Sequence, residues 1–137
     1  MFNLSGMERL SQIKLLINLA RIDGEVAEKE RTYIYTIGEA NGISEPVIKP
    51  LFNQDHEIIV PTKLTKDQKF DYIFRLVQLM KIDERLYKDE IQYCAKITSK
   101  LGYSQEALFE LMLHVKATTT SPDEVEALKK LITKHLE

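Results

Sequence analysis

Cysteine occurs once in the 137 residues, so an intrachain disulfide and a thiolate-held metal cluster are both excluded. Long apolar runs are missing too. No stretch approaches the eighteen or so residues of a membrane-spanning helix, and the first residues carry no basic segment followed by an apolar one, so no secretion signal is expected. Charge of one sign is also lacking. Nineteen Lys and Arg stand against twenty-one Asp and Glu, for a net charge of −2. No broad cationic field follows, and nucleic-acid binding is not expected. Glycine (five) and proline (four) are scarce, and alternating apolar and polar runs are nearly absent, which leaves little room for strands and turns. A cytoplasmic, single-domain, non-membrane protein is the expectation.

What is present is helical spacing. Leu10, Ile13, Ile17 and Ala20 share a face, and Leu15, Leu16, Leu19 and Ile22 add apolar residues around it. That helix is therefore expected to be central. Tyr33, Ile34, Ile37 and Ala40 stripe a second helix, and Val47, Ile48, Leu51 and Phe52 a short third. Phe70, Ile73, Phe74, Val77 and Met80 stripe a fourth, with Asp71, Arg75 and Gln78 placed opposite. Ile91, Cys94, Ile97 and Leu101 mark a fifth, Leu108, Leu111, Met112 and Val115 a sixth, and Val125, Leu128 and Ile132 a seventh. Capping boxes are expected at Ser5–Glu8, Thr65–Gln68 and Ser121–Glu124, serine caps at Ser44 and Ser104, and glycine terminators at Gly42 and Gly102. The β-branched stretch Asp55–Pro61, ended by a proline, lacks a strand partner and reads as a linker between the halves. The fold class is all-α: a compact bundle of about seven helices.

The chain repeats itself at an offset of sixty. Ile13, Leu16, Leu19, Ile22, Asp23, Glu30, Tyr33, Ile37, Gly42 and Ser44 recur as Ile73, Leu76, Leu79, Ile82, Asp83, Glu90, Tyr93, Ile97, Gly102 and Ser104. Apolar coincidences between amphipathic helices are cheap. An Asp, a Glu, a Gly and a Ser in register are not. Repeat one covers about 7–54 and repeat two about 66–117. The helix near 122–136 has no counterpart. Two copies are too few for an open solenoid, so they are expected to pack face to face about a pseudo-two-fold axis. Lys129, Lys130 and Lys134 on the last helix read as a solvated face near the negative end of its dipole.

The acidic turns carry the only chemical pattern. They read Asp23-Gly24-Glu25-Val26 and Asp83-Glu84-Arg85-Leu86, each closed by a glutamate, Glu30 or Glu90. An EF-hand is rejected, because its first and third ligand slots would hold Leu19 and Arg21 in one copy and Leu79 and Lys81 in the other. A purely structural account is available. Glu30 and Glu90 fall at the third position of helices capped by Ala27 and Tyr87, where a glutamate reaches back to free N–H groups. Asp23 and Asp83 would fix the preceding turn, and Gly24 would supply positive φ. The functional account brings the two turns together. Asp23, Glu30, Asp83 and Glu90, with Glu25 or Glu28 nearby, would then form an all-oxygen set suited to Mg²⁺, Ca²⁺ or Mn²⁺.

A helix ending in Ala-Arg-Ile-Asp-Gly-Glu-Val, with a glutamate seven residues after the aspartate, resembles the tellurite-resistance TerB-like family over nearly the whole chain. The resemblance implies an all-helical, pseudo-symmetric fold with no established catalytic activity. It implies a cytoplasmic stress-response, scaffold or sensing module, with Asp23, Glu30, Asp83 and Glu90 at the family's acidic motif positions as candidate metal ligands. Glu84, in place of a small turn residue, and Ala27 and Tyr87, in place of Ser or Thr, depart from the family pattern. A protein partner of unknown identity is expected, and a homodimer is left open. A metal-dependent hydrolase using the same carboxylates and a ligand-free structural adaptor are the competing classes. Cys94 reads as an inert core thiol. His56 reads as a solvated linker residue, His114 as half-buried or lining an interface, and His135 as a complement to the last helix dipole.

Overall fold

The computed structural model of the chain describes residues 6–22, 24–82, 88–119 and 121–136. Among them are seven α-helices and no strand. They are α1 (Gly6–Ala20), α2 (Glu28–Ala40), α3 (Glu45–Ile48), α4 (Lys66–Ile82), α5 (Lys88–Lys100), α6 (Gln105–His114) and α7 (Pro122–Thr133), with a 3-10 segment Lys49–Asn53 extending α3. Residues 55–61 form no helix or strand.

Local chemistry explains several boundaries. Thr65 and Gln68 make a reciprocal capping box at the start of α4: the Gln68 amide donates to Thr65 Oγ1 (3.2 Å) and the Thr65 amide to Gln68 Oε1 (2.8 Å). Gly42 and Gly102 stop α2 and α5 at φ 79° and 89°, a region that an L side chain enters only under strain. Ser44, Ser104 and Ser121 stand at the expected cap positions with extended backbone, but none makes a side-chain cap bond. Those helices start on backbone geometry instead, helped in α3 and α7 by proline in the first turn. Ser5 lies outside the described residues.

The element bounds recur at sixty. α1 and α4 start at 6 and 66, α2 and α5 run 28–40 and 88–100, and α3 and α6 start at 45 and 105. Burial recurs with them: residues 28–40 and 88–100 carry the same sequence of exposed, intermediate and buried positions. The packing is reciprocal. α1 lies against α4, α1 against α2 as α4 against α5, and α2 against α4 as α5 against α1.

α1 and α4 hold the centre. Ile13, Leu16 and Ile17 in α1 and Val77 and Leu79 in α4 are fully buried. Each such side chain contributes roughly 1.5–3 kcal/mol relative to exposure. Leu19 and Leu79, the residues that exclude a calcium loop, are both core. α7 packs on α4 and α6 and buries Leu128 and Ile132. Lys129 is not a free surface cation: its Nζ lies 3.1 Å from Asp67 Oδ1 and 3.2 Å from Glu126 Oε2, tying α7 to the first turn of α4. No helix among the described residues is long and apolar enough to cross a membrane.

Candidate functional site

The first acidic turn follows directly from the end of α1. The Gly24 amide donates to the Arg21 carbonyl (3.0 Å), and φ of 93° at Gly24 turns the chain. Val26 then packs on the core, and Ala27 takes extended backbone as the residue before α2. Its carbonyl accepts the first helical bond, from the Arg31 amide at 3.0 Å. Alanine has no side-chain oxygen to offer the helix start. Glu30, three residues on, supplies the reverse half of the box: its Oε1 accepts the Ala27 amide at 3.0 Å.

Glu30 and Glu90 are both 4% exposed, and each is the third residue of its helix. A carboxylate is rarely buried this deeply unless it is paired or hydrogen-bonded. The positive end of the helix dipole favours it here. Asp23 and Asp83 lie outside the described residues, as do Glu84 and Tyr87. Among the described residues no three His, Cys, Asp or Glu side chains group so as to hold a metal ion.

A second polar arrangement lies along α4. Asp71 and Gln78, placed opposite the apolar stripe by sequence, are buried at 7% and 2% exposure. Gln12 Nε2 donates to Asp71 Oδ2 (2.8 Å), and Arg75 Nε lies 3.4 Å from Asp71 Oδ1. Gln78 Oε1 accepts from Tyr33 Oη (2.7 Å), while its amide nitrogen donates to the Thr119 carbonyl (2.8 Å). The network therefore joins α1, α2, α4 and the loop after α6. Polar residues that interrupt an otherwise apolar helix were the available signal.

The equivalent position in the first repeat is Asn18, sixty residues before Gln78. Its Nδ2 donates to the His56 carbonyl (2.8 Å), and its Oδ1 accepts the His56 amide (3.2 Å). His56 is thus not a solvated linker residue. Its Nε2 sits 2.9 Å from the Leu51 carbonyl, so that nitrogen carries a proton and donates. Arg21 donates to Asp55 Oδ1 (3.0 Å) and to the Gln54 carbonyl. These groups, with Tyr93, line an open cleft of about 270 Å³ beside the first acidic turn. Their polar atoms are largely committed to holding the linker against α1.

The remaining candidates resolve simply. Cys94 is 1% exposed, and burial, with Glu90 adding, pushes its thiol up to about 12. It is a packed, unreactive thiol. His114 is exposed at the rim of a cleft of about 320 Å³ between α6 and α7, floored by Leu128 and Leu131. Phe109 and Leu113, one turn apart on α6, are exposed at 55% and 79%.

No family model matches the chain, and no curated protein or solved structure matches it either.

Proposed function

We propose that this chain is a non-catalytic interaction or sensing module of TerB-like type, with a divalent cation held at its acidic turns. The observation that carries the reading is the pair Glu30 and Glu90. Each is a buried carboxylate at the third position of a helix, each follows an acidic turn, and the two helices share bounds and burial at an offset of sixty. An oxygen-rich turn backed by a buried carboxylate suits Ca²⁺, Mg²⁺ or Mn²⁺. In this reading the cation fixes the turns that lead into α2 and α5, and a protein partner reads the resulting surface. Cytoplasmic location and a stress-response setting belong to the same proposal.

The test is calorimetric titration of chelator-treated protein with each cation. Binding at micromolar to low millimolar concentration, lost in Asp23→Asn with Asp83→Asn, supports the reading. No binding below about 10 mM, or wild-type affinity in the double variant, rejects it. The ligand-free adaptor is favoured by a specific contact: the 3.0 Å bond from the Ala27 amide already accounts for one oxygen of Glu30. Under that reading a chelator leaves the melting temperature unchanged.

A further inference from the structure

α6 is flanked on both sides. Gln105 Nε2 donates to the Ala95 carbonyl of α5 (3.2 Å) on one side, and Glu110 meets Lys134 and His135, just past α7, on the other. Phe109 and Leu113 stand on the crest between them, one turn apart and 55% and 79% exposed. The fold does not require apolar residues there. The equivalent positions of the first repeat, sixty residues earlier, are Lys49 and Asn53, which are exposed as well. The two halves share the exposure and differ in the chemistry. An apolar pair raised on a helix crest beside an open apolar cleft has the form of a contact surface.

That surface is complementary to itself. The cleft floored by Leu128 and Leu131 begins at His114, the residue after Leu113, so an apolar knob and an apolar hole lie side by side. A two-fold pair of identical chains needs both on one face. Charge is arranged in the same way. Glu106 lies in the first turn of α6 and Lys116 just past its end, and both are exposed. When two copies of α6 cross antiparallel with the two-fold axis level with residue 111, positions equally distant from 111 face each other. Phe109 then meets Leu113 of the second copy, and Glu106 meets Lys116 of the second copy. We propose that the chain self-associates as a two-fold dimer through α6, with the Phe109–Leu113 crest of each copy seated against the α6–α7 cleft of the other and a Glu106–Lys116 pair closing each end.

Sedimentation equilibrium of the full chain tests this. One helix crest and one cleft make a small interface, so a dimer half-formed at about 10–300 µM is expected. Leu113→Glu should weaken it about tenfold or more, with the monomer's Tm unchanged because that side chain is mostly in solvent. Met7→Glu, which removes an equally exposed apolar side chain from α1, should leave association as it is. The charges fix the orientation. Glu106→Lys and Lys116→Glu should each weaken self-association, since each sets like charges opposite one another at both ends. An equal mixture of these two variants should recover it, because in the mixed dimer both end pairs are again of opposite sign. A wild-type chain that stays monomeric up to about 1 mM overturns the proposal. So does a dimer that Leu113→Glu leaves intact, or a mixture that associates no better than either variant alone.

Discussion

Tyr33 and Tyr93 stand sixty residues apart and reach into opposite repeats. Tyr93, on α5, donates its hydroxyl to the Leu15 carbonyl of α1 at 2.8 Å. Tyr33, on α2, lies 2.7 Å from Gln78 Oε1 and 3.5 Å from the Arg75 carbonyl of α4. Leu15 and Arg75 are themselves sixty apart. The second helix of each half is thus bonded to the first helix of the other. Asn18 and Gln78, also equivalent, extend the two contacts to the His56 and Thr119 carbonyls, where the chain leaves each repeat.

Removing either hydroxyl tests this exchange. Tyr33→Phe and Tyr93→Phe are each expected to destabilise by about 0.5–1.5 kcal/mol, the usual net worth of a hydrogen bond. Tyr33→Phe should sit at the upper end, because it leaves the buried Gln78 Oε1 with only the longer bond from Arg75 Nη1 (3.3 Å). Urea denaturation of the two variants measures this. A loss below 0.3 kcal/mol (roughly, the noise of such curves) in both would show that the exchange does not join the halves.

Gly38 is the next test. Its φ is not positive, so replacement by alanine in a helix interior would ordinarily stabilise by up to about 1 kcal/mol. Here an added Cβ would collide with Cδ1 of Ile48, a residue with no exposure. The sign should therefore reverse, with Gly38→Ala costing roughly 1–3 kcal/mol by overpacking. Thermal denaturation decides it, and an unchanged or raised Tm would mean that α3 yields freely. The corresponding residue of the second repeat is Thr98, which is fully buried and donates to the Cys94 carbonyl at 2.7 Å.

What sequence could show was what neighbours in the chain decide. Gly42 and Gly102 require only local backbone geometry, and Thr65 with Gln68 only one helical turn. All four behave as their spacing implies. Helical spacing turns Asp71 and Gln78 to solvent, whereas their burial depends on Gln12, fifty-nine residues before Asp71, and on the Thr119 carbonyl, forty-one after Gln78. His56 escapes a local reading for the same reason, since Asn18 is thirty-eight residues away. Ser44, Ser104 and Ser121 show the opposite failure. Each stands at the cap position that its spacing implies, yet its hydroxyl does not make the bond. Lys129 looked solvated because Asp67 belongs to a different helix.

Glu30 separates a capping role from a ligand role. Glu30→Ala removes the acceptor for the Ala27 amide and should cost about 0.5–2 kcal/mol, as losing a helix cap does. Glu30→Gln keeps an oxygen in place and should recover most of that loss. Chemical denaturation with chelator present isolates this structural part. Repeating it with added Ca²⁺ or Mn²⁺ reads the ligand part. If the cation stabilises the wild type, Glu30→Gln should respond much less, because the carboxylate charge is gone. An equal response would remove Glu30 from the ligand set while leaving its capping role intact.

The buried phenols and the thiol set the alkaline limit of the fold. Burial holds Tyr33, Tyr72 and Tyr93 protonated well above their usual 10.0, and raises Tyr103 to about 12. Cys94 moves from 9.0 to about 12. In the unfolded chain these groups ionise at their ordinary values, so above those values the unfolded state binds fewer protons than the native state. Stability then falls as pH rises. The contribution is intact below pH about 8.5–9, where even the unfolded thiol stays protonated. It erodes first through Cys94 and more steeply past pH about 10, when the tyrosines join. Denaturant midpoints measured from pH 7 to 11 should trace this decline. Cys94→Ala, itself destabilising at neutral pH, should flatten the segment between pH 8.5 and 10 and leave the steeper tyrosine segment in place. A decline of the same shape in Cys94→Ala would assign the whole effect to the phenols.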